Sequence, residues 1–147
     1  MSLSKLRIFL QVIAIAHIAG GMLLPFIVNT QLFSTYNELV NQALGFETTG
    51  KNAGINFLIG LFGPTIASWG VLFLYVVTTA FKNLDKRGWW AIFAACVVWA
   101  PYDSLLSLQK GIYINGLINL FSALMILIPL FMARKYFFHP SDFQSDA

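Results

Sequence analysis

Four long apolar stretches, roughly Ile8 to Val28, Ile55 to Phe81, Trp89 to Leu108 and Ile112 to Met132, occupy most of this chain. Each is close to the ~20 residues a helix needs to cross the hydrocarbon of a bilayer. Hydrocarbon offers no hydrogen bonds, so a spanning segment must satisfy its backbone internally, and stretches of this length do so as helices. The expected fold class is therefore all-α: a polytopic membrane protein with four transmembrane helices in an up-down-up-down bundle and an amphipathic helix in the outer loop. Hydrophobic residues make up 58% of the chain and charged residues 10%, against about 25% charged in an average soluble domain.

The charges that remain describe a topology. Lys5 and Arg7 precede the first span, Lys82, Lys86 and Arg87 occupy the second connection, and Arg134 and Lys135 follow the fourth span. The other two connections carry Glu38, Glu47 and Lys51, and then Lys110. The positive-inside rule then places both termini in the cytoplasm and the segment 29–54 outside. Trp89, Trp90, Tyr113 and Tyr136 sit at span boundaries, where amphipathic rings favour the headgroup region. The formal charge of +3 is not gathered into a stripe, so nucleic acid is not an expected partner. Lys5, Arg7 and the Ala14-Ile15-Ala16 triplet raise the question of a cleavable signal peptide. The apolar run before that triplet is shorter than a signal h-region, and apolarity continues to Val28, so the first helix is expected to be retained.

Cys96 is the only cysteine and falls within the third span, which excludes an internal disulfide and paired-thiol chemistry. His17 is the only histidine inside a span, so one chain cannot supply two embedded axial ligands to a haem. No lysine lies mid-span to form a retinal Schiff base. Zinc spacings, a phosphate loop and a nucleophile elbow are all missing from the sequence, and neither a metal nor a cofactor is expected.

One membrane domain, residues 1–136, accounts for nearly the whole chain, followed by a polar tail, 137–147. The connection Lys82 to Gly88 and the turn Gln109 to Gly111 are short, so spans two, three and four form successive antiparallel hairpins and the first span closes the bundle. Within the outer loop, Leu32, Phe33, Tyr36, Leu39, Val40, Ala43 and Leu44 recur at helical spacing. That helix is expected to lie on the bilayer or cap the bundle, with Gln31, Asn37, Glu38, Asn41 and Gln42 toward water or headgroups and Gly45 as its stop. It serves either as a structural lid or as a gate for ligand entry. Small residues at Gly60, Gly63, Ala67 and Gly70 share one face of the second span, and the pairs Ala16/Gly20 and Ala91/Ala95 mark further close-packing faces, within one chain or between two copies of it.

An embedded polar group costs several kcal/mol in hydrocarbon unless satisfied, so it faces a partner or a cavity. At ~1.5 Å of rise per residue, His17 lies about 18 Å along the first helix and Asp103 about 22 Å along the third, while Asn56 and Asn119 enter from the outer side. All four belong to the outer half of the bundle. Asn52 and Asn56 share a face with Gly60, and Asn115 and Asn119 share one with Ser122 and Ala123. Each asparagine pair either grips a polar headgroup or hydrogen-bonds between helices. Pro101 is expected to interrupt the third helix just before Tyr102 and Asp103, freeing the Val97 carbonyl. Asp103 is then either an inward-turned carboxylate or, if the helix ends at Pro101, an interfacial cap. His17 either ties two helices together or handles a ligand or proton, and a direct His17–Asp103 hydrogen bond is one arrangement compatible with the depths. The candidate ligand-binding set is His17, Asn56, Tyr102, Asp103, Asn115 and Asn119.

An arginine opening the first helix, in Arg7-Ile8-Phe9-Leu10 leading into Ala19-Gly20-Gly21, together with the size and four spans, resembles the small bacterial DoxX-like membrane proteins. The resemblance covers the overall layout and implies a bacterial inner-membrane accessory subunit associated with redox or quinone chemistry. It carries over no active residue. Three functions fit the sequence. The leading one is a non-enzymatic module that binds a lipid-like or other apolar small molecule in an outward-facing, polar-tipped cavity, or serves as an accessory subunit of a membrane complex. Its partners would be membrane lipids, the small molecule, and a membrane-protein partner or second copy. The others are a small proton-coupled transporter working as a dimer, which would favour a site nearer the midplane, and a membrane enzyme using His17 and Asp103 as acid and base on an apolar substrate.

Overall fold

The computed structural model describes residues 1–45 and 53–139. Helix α1 runs Leu3–Ile27. A short 3-10 turn at Gln31–Phe33 leads into α2, Ser34–Ala43. Three long helices follow: α3 at Ala53–Asn83, α4 at Lys86–Gln109 and α5 at Tyr113–Phe138. Four helical spans (Leu3–Ile27, Gly54–Asn83, Lys86–Gln109 and Tyr113–Phe138) are long and apolar enough to cross a membrane, and the chain is a small integral membrane protein with an all-α bundle. Its outer surface is what lipid requires, with Phe26, Phe62, Leu72, Val98, Leu117 and Phe121 all pointing out of the bundle.

Local sequence sets most helix ends. The hydroxyl of Ser2 accepts from the Lys5 backbone N–H at 3.4 Å and starts α1. The Asp85 carboxylate accepts from the Arg87 N–H at 2.9 Å and starts α4, which shortens the expected 82–88 connection to Leu84 and Asp85. That turn is tight enough to force Leu84 to φ 50, a region that β-carbons resist. Gly88 is not in the turn. It lies in the first turn of α4, where a Cβ would collide with that of Ala80. Gly45 and Gly111, both at φ +74, end α2 and the α4–α5 turn.

The helices are arranged around the bundle in the cyclic order α1, α3, α4, α5, every neighbour antiparallel, as an up-down-up-down chain demands. All four meet only at the end that carries both termini. Leu6, Leu10 and Ala14 of α1 pack there with Phe73, Val77, Ala80 and Phe81 of α3, Trp89, Ile92 and Cys96 of α4, and Ile126, Leu130, Ala133 and Phe137 of α5. Trp89 donates its indole N–H to the Leu130 carbonyl at 2.9 Å, so this core is closed by a hydrogen bond as well as by packing. Toward the α2 end the bundle resolves into two pairs, α1 with α3 and α4 with α5.

The α1–α3 seam is built on the expected face of α3: Gly60, Gly63, Ala67 and Gly70 are all buried. On α1 the seam lies one residue away from the expected Ala16/Gly20 pair. Ala16 and Gly20 are exposed, and Gly21 is the buried glycine. The place a Cβ would take on Gly21 is 2.5 Å from the Gly63 carbonyl oxygen, and the same place on Gly63 is 2.5 Å from the Gly21 carbonyl oxygen. Pro25 has no N–H to give to the Gly21 carbonyl, so that oxygen is free to face the Gly63 Cα, the arrangement of a Cα–H···O contact between helices. Ala91 is likewise exposed and makes no seam, because α4 meets α3 through Gly88 instead.

Three further expectations change. Pro101 does not end the third helix: α4 continues to Gln109 with Pro101 inside it, so Asp103 is a helical residue and not a cap. The fourth helix runs on to Phe138, and Phe137 lies in the core; the tail from residue 140 onward lies outside the described residues, as do Glu47, Lys51 and Asn52. Finally, α2 forms where its periodicity placed it but is rotated. Asn37 and Asn41, expected to face water, are each only 8% exposed, whereas Leu32 is 80% exposed and Leu39 and Leu44 also point outward. The side of α2 that turns toward the bundle carries Asn37, Val40 and Asn41, while Gln31, Glu38 and Gln42 are exposed as expected.

Candidate functional site

Three layers succeed one another from the core toward the α2 end. The first is aromatic. Trp69 of α3 lies between the two helix pairs, its ring centroid 5.0 Å from that of His17 on α1 and 6.5 Å from that of Trp99 on α4, and it stacks on Phe73 of the core at 4.9 Å. His17 does not reach a carboxylate. Its Nδ1 donates to the Ile13 carbonyl at 2.8 Å, and since a carbonyl can only accept, the proton on Nδ1 is fixed and a neutral ring presents Nε2 as an acceptor.

The second layer is polar and belongs to α4 and α5. Asp103 stands one helical turn beyond Trp99, on the same face. Asn119, 3% exposed, donates from Nδ2 to Asp103 Oδ2 at 2.9 Å and to Ser104 Oγ at 3.4 Å. One turn along α5, Asn115 donates from Nδ2 to Ser107 Oγ at 2.6 Å. The i, i+4 spacing of the two asparagines thus answers Asp103, Ser104 and Ser107 on α4, and the polar ladder joins the two helices where alkyl packing gives way. Asp103 thus takes a neutral amide as its partner.

The third layer is α2 with the adjoining ends of α1 and α3. Asn37 donates from Nδ2 to the Val28 carbonyl at 2.8 Å, tying α2 to the end of α1. Asn56 donates from Nδ2 to Asn29 Oδ1 at 2.8 Å, tying α3 to the same segment. The Oδ1 atoms of Asn37 and Asn41 are cut off from solvent and have no hydrogen-bond partner. Tyr36 lies on this side too, and its hydroxyl is held above its ordinary pKa by burial and, second, by the negative charge of Asp103.

Of the six residues singled out in the sequence, Asp103, Asn115 and Asn119 form one network, Asn56 bonds within the other helix pair, and His17 belongs to the aromatic layer. Tyr102 is 68% exposed on the outside of the bundle, because its neighbour Asp103 takes the inward position and consecutive helical residues diverge by about 100°. No hydrogen bond joins His17 to Asp103, since each has another partner. Residues outside that candidate set are as informative: Ser104, Ser107, Trp69 and Trp99, and from the lid helix Tyr36, Asn37 and Asn41. The signal for the last two was their i, i+4 spacing, the same as that of Asn115 and Asn119. Among the described residues no three His, Cys, Asp or Glu side chains gather as metal ligands.

No protein-family model matches the chain, and neither a curated protein nor a solved structure does.

Proposed function

We propose that this protein is a non-enzymatic membrane module that holds a lipid-like or other small apolar molecule by its polar head, at the α2 end between the α1–α3 and α4–α5 pairs. The observation that carries this reading is the pair of buried, unpartnered amide oxygens on α2. An unsatisfied polar atom costs free energy wherever it is buried and more so inside a membrane, so its persistence argues for a partner that arrives separately. The aromatic layer of His17, Trp69 and Trp99 offers a floor suited to an apolar body, and the Asp103–Asn119 network offers polar anchorage above it. α2 then serves as the lid of that site. The positive-inside argument assigns the terminal end to the cytoplasm and the α2 end to the outer side, in keeping with a bacterial inner membrane.

A role as an accessory subunit of the kind implied by the DoxX-like layout is compatible with a binding module and rests on the resemblance alone. Native mass spectrometry of the protein released from its host membrane tests the proposal, with Asp103→Asn alongside the parent. A specific extra mass on the parent that the variant loses is the expected result. A parent chain that always emerges bare, or only with other proteins, would refute it.

A further inference from the structure

We propose that a cleft between α3 and α4, at the end that carries both termini, seats the head of a phospholipid with a primary ammonium, phosphatidylethanolamine. The site is separate from the one at the α2 end and does not depend on it. The cleft holds about 280 Å³, just under the ~300 Å³ at which small-molecule sites begin, which is room for a head and the top of a chain but not for a whole lipid. It exists because its walls are short. Gly88 and Ala80 bring the two helices together, since a Cβ on Gly88 would collide with that of Ala80. Beside that contact Val76 and Ala91 leave the space between the helices unfilled. Ala91 is exposed on the surface that faces lipid, so the cleft can be entered from the membrane.

Polarity changes along the cleft. Val76 and Asn83 mark its two ends on α3, about 10 Å apart at ~1.5 Å of rise per residue. At the deep end the walls are aliphatic, and Thr79 turns its hydroxyl back onto the Tyr75 carbonyl at 2.9 Å, so it offers no donor. At the mouth stand Asn83, Asp85 and Arg87, all exposed. Among the described residues nothing pairs with the Arg87 guanidinium or the Asn83 amide. Asp85 uses one carboxylate oxygen on the Arg87 backbone N–H and makes no ion pair with the guanidinium. A cation and an anion therefore share one mouth without neutralising each other, and that pair of charges selects the head. Phosphatidylglycerol would satisfy Arg87 and bring a like charge to Asp85. Phosphatidylcholine carries both signs, but its trimethylammonium has no N–H to donate. Phosphatidylethanolamine brings a phosphodiester for the guanidinium fork and three ammonium donors for the carboxylate, while its chains follow the aliphatic wall into the bilayer. Lys82 and Lys86 are close in sequence but do not line the cleft, and the Lys86 ammonium lies over the Phe138 ring at 5.5 Å.

The test uses the full chain in nanodiscs made of equal parts of these three lipids with identical acyl chains, and native mass spectrometry reads which lipid stays on the ejected protein. The parent should retain phosphatidylethanolamine over phosphatidylcholine by about threefold, the worth of one exposed ion pair. Asp85→Asn removes the charge but keeps an N-cap as good as aspartate, so α4 should start as before while the preference vanishes and retention of phosphatidylglycerol rises. Ala91→Phe fills the cleft from its lipid side without touching a charge, and it should abolish the preference too. Equal retention of the two zwitterionic lipids by the parent, or a preference that survives either variant, would overturn the proposal. So would a dimer ejected without lipid that Ala91→Phe converts to a monomer, which would give the cleft to a second copy of the chain. A preference lost in Asp103→Asn and kept in Ala91→Phe would assign the lipid to the α2 end instead.

Discussion

Gly20 and Gly21 are adjacent in α1, and replacing each with alanine should have opposite consequences. A Cβ on Gly21 would lie 2.5 Å from the backbone nitrogen of Ala67 and 2.5 Å from the Gly63 carbonyl oxygen, about 0.9 Å inside ordinary van der Waals contact at 3.4 Å. Both obstacles are backbone, so no side chain can rotate away and α1 must move off α3 by most of that distance. A gap of that size forfeits between a quarter and a half of the dispersion energy of the atoms it separates, and the same seam holds Gly63 against Pro25 and Gly70 against Ile18. Overpacking a well-filled interface costs about 1–3 kcal/mol; with backbone on both sides we expect about 3 kcal/mol, or roughly 150-fold in the unfolding equilibrium. A Cβ on Gly20 meets nothing within 4 Å, so Gly20→Ala should be neutral or stabilising by up to about 1 kcal/mol through helix propensity. Reversible unfolding in mixed micelles containing SDS, followed by far-UV circular dichroism, measures both. Equal stabilities for the two variants would refute the seam described here.

Three other substitutions separate the layers of the site. Asn119→Leu removes the amide that serves Asp103 and Ser104 and should cost about 1 kcal/mol, the usual worth of a hydrogen bond between membrane helices; an unchanged unfolding midpoint in detergent would contradict that network. Asn41→Leu should instead stabilise the ligand-free protein by about 1 kcal/mol, because it deletes a buried, unpartnered oxygen, and a lower midpoint would mean that oxygen has a partner after all. The phenol of Tyr36 is raised above 10.0 by burial and then by Asp103. The folded chain therefore holds this proton more tightly than the unfolded one, so the stability it contributes is whole below pH 10.0 and is lost as pH rises through the elevated value. Tyrosinate absorbance, as the difference between parent and Tyr36→Phe, should show a midpoint above 10.0 that falls in Asp103→Asn yet stays elevated, and a midpoint indifferent to Asp103 would be inconsistent with their proximity.

The spans were readable because hydrocarbon leaves the backbone no alternative to helix, but their ends and rotations follow from interactions a single sequence does not display. Arg134 and Lys135 looked like the end of the fourth span. In the fold Arg134 lies 5.7 Å from the Phe138 ring and Lys86 5.5 Å from it, so charge and aromatic ring are accommodated together at the boundary and the helix continues. Small-residue spacing identified the α3 face correctly and missed on α1 by one residue, which is a rotation of about 100°. The clue was Pro25, four residues after Gly21, which releases that glycine's carbonyl toward the neighbouring helix. Asp103 and Asn119 were legible as embedded polar groups, since their cost demands a partner. α2 was read on the rule that amides face water, a rule that holds for a helix with solvent on one side and a greasy core on the other. Here Glu38 and Gln42 do stay exposed, but Asn37 and Asn41 are buried beside Val40 and Leu39 points outward, so the helix is turned and its inner side is mixed.

That mixed inner side makes α2 the most lightly held helix of the described fold. It is ten residues long, below the ~12–15 at which an isolated helix is even marginal in water, so its structure depends on what anchors it. Val40 is buried beneath it, and Asn37 ties it to the Val28 carbonyl. The four-helix core at the other end has no such dependence, being closed by Trp89, Phe137 and their neighbours. Asn37→Leu should therefore release α2 alone. Removing a bond worth about 1 kcal/mol net, and leaving the Val28 carbonyl without that donor, should speed amide exchange across residues 34–43 by about tenfold. Amides of α4 from Trp90 to Ala100 should exchange as in the parent. Hydrogen–deuterium exchange in nanodiscs resolves the two regions, and acceleration of both together would mean that α2 is part of the cooperative core and not a separately held lid.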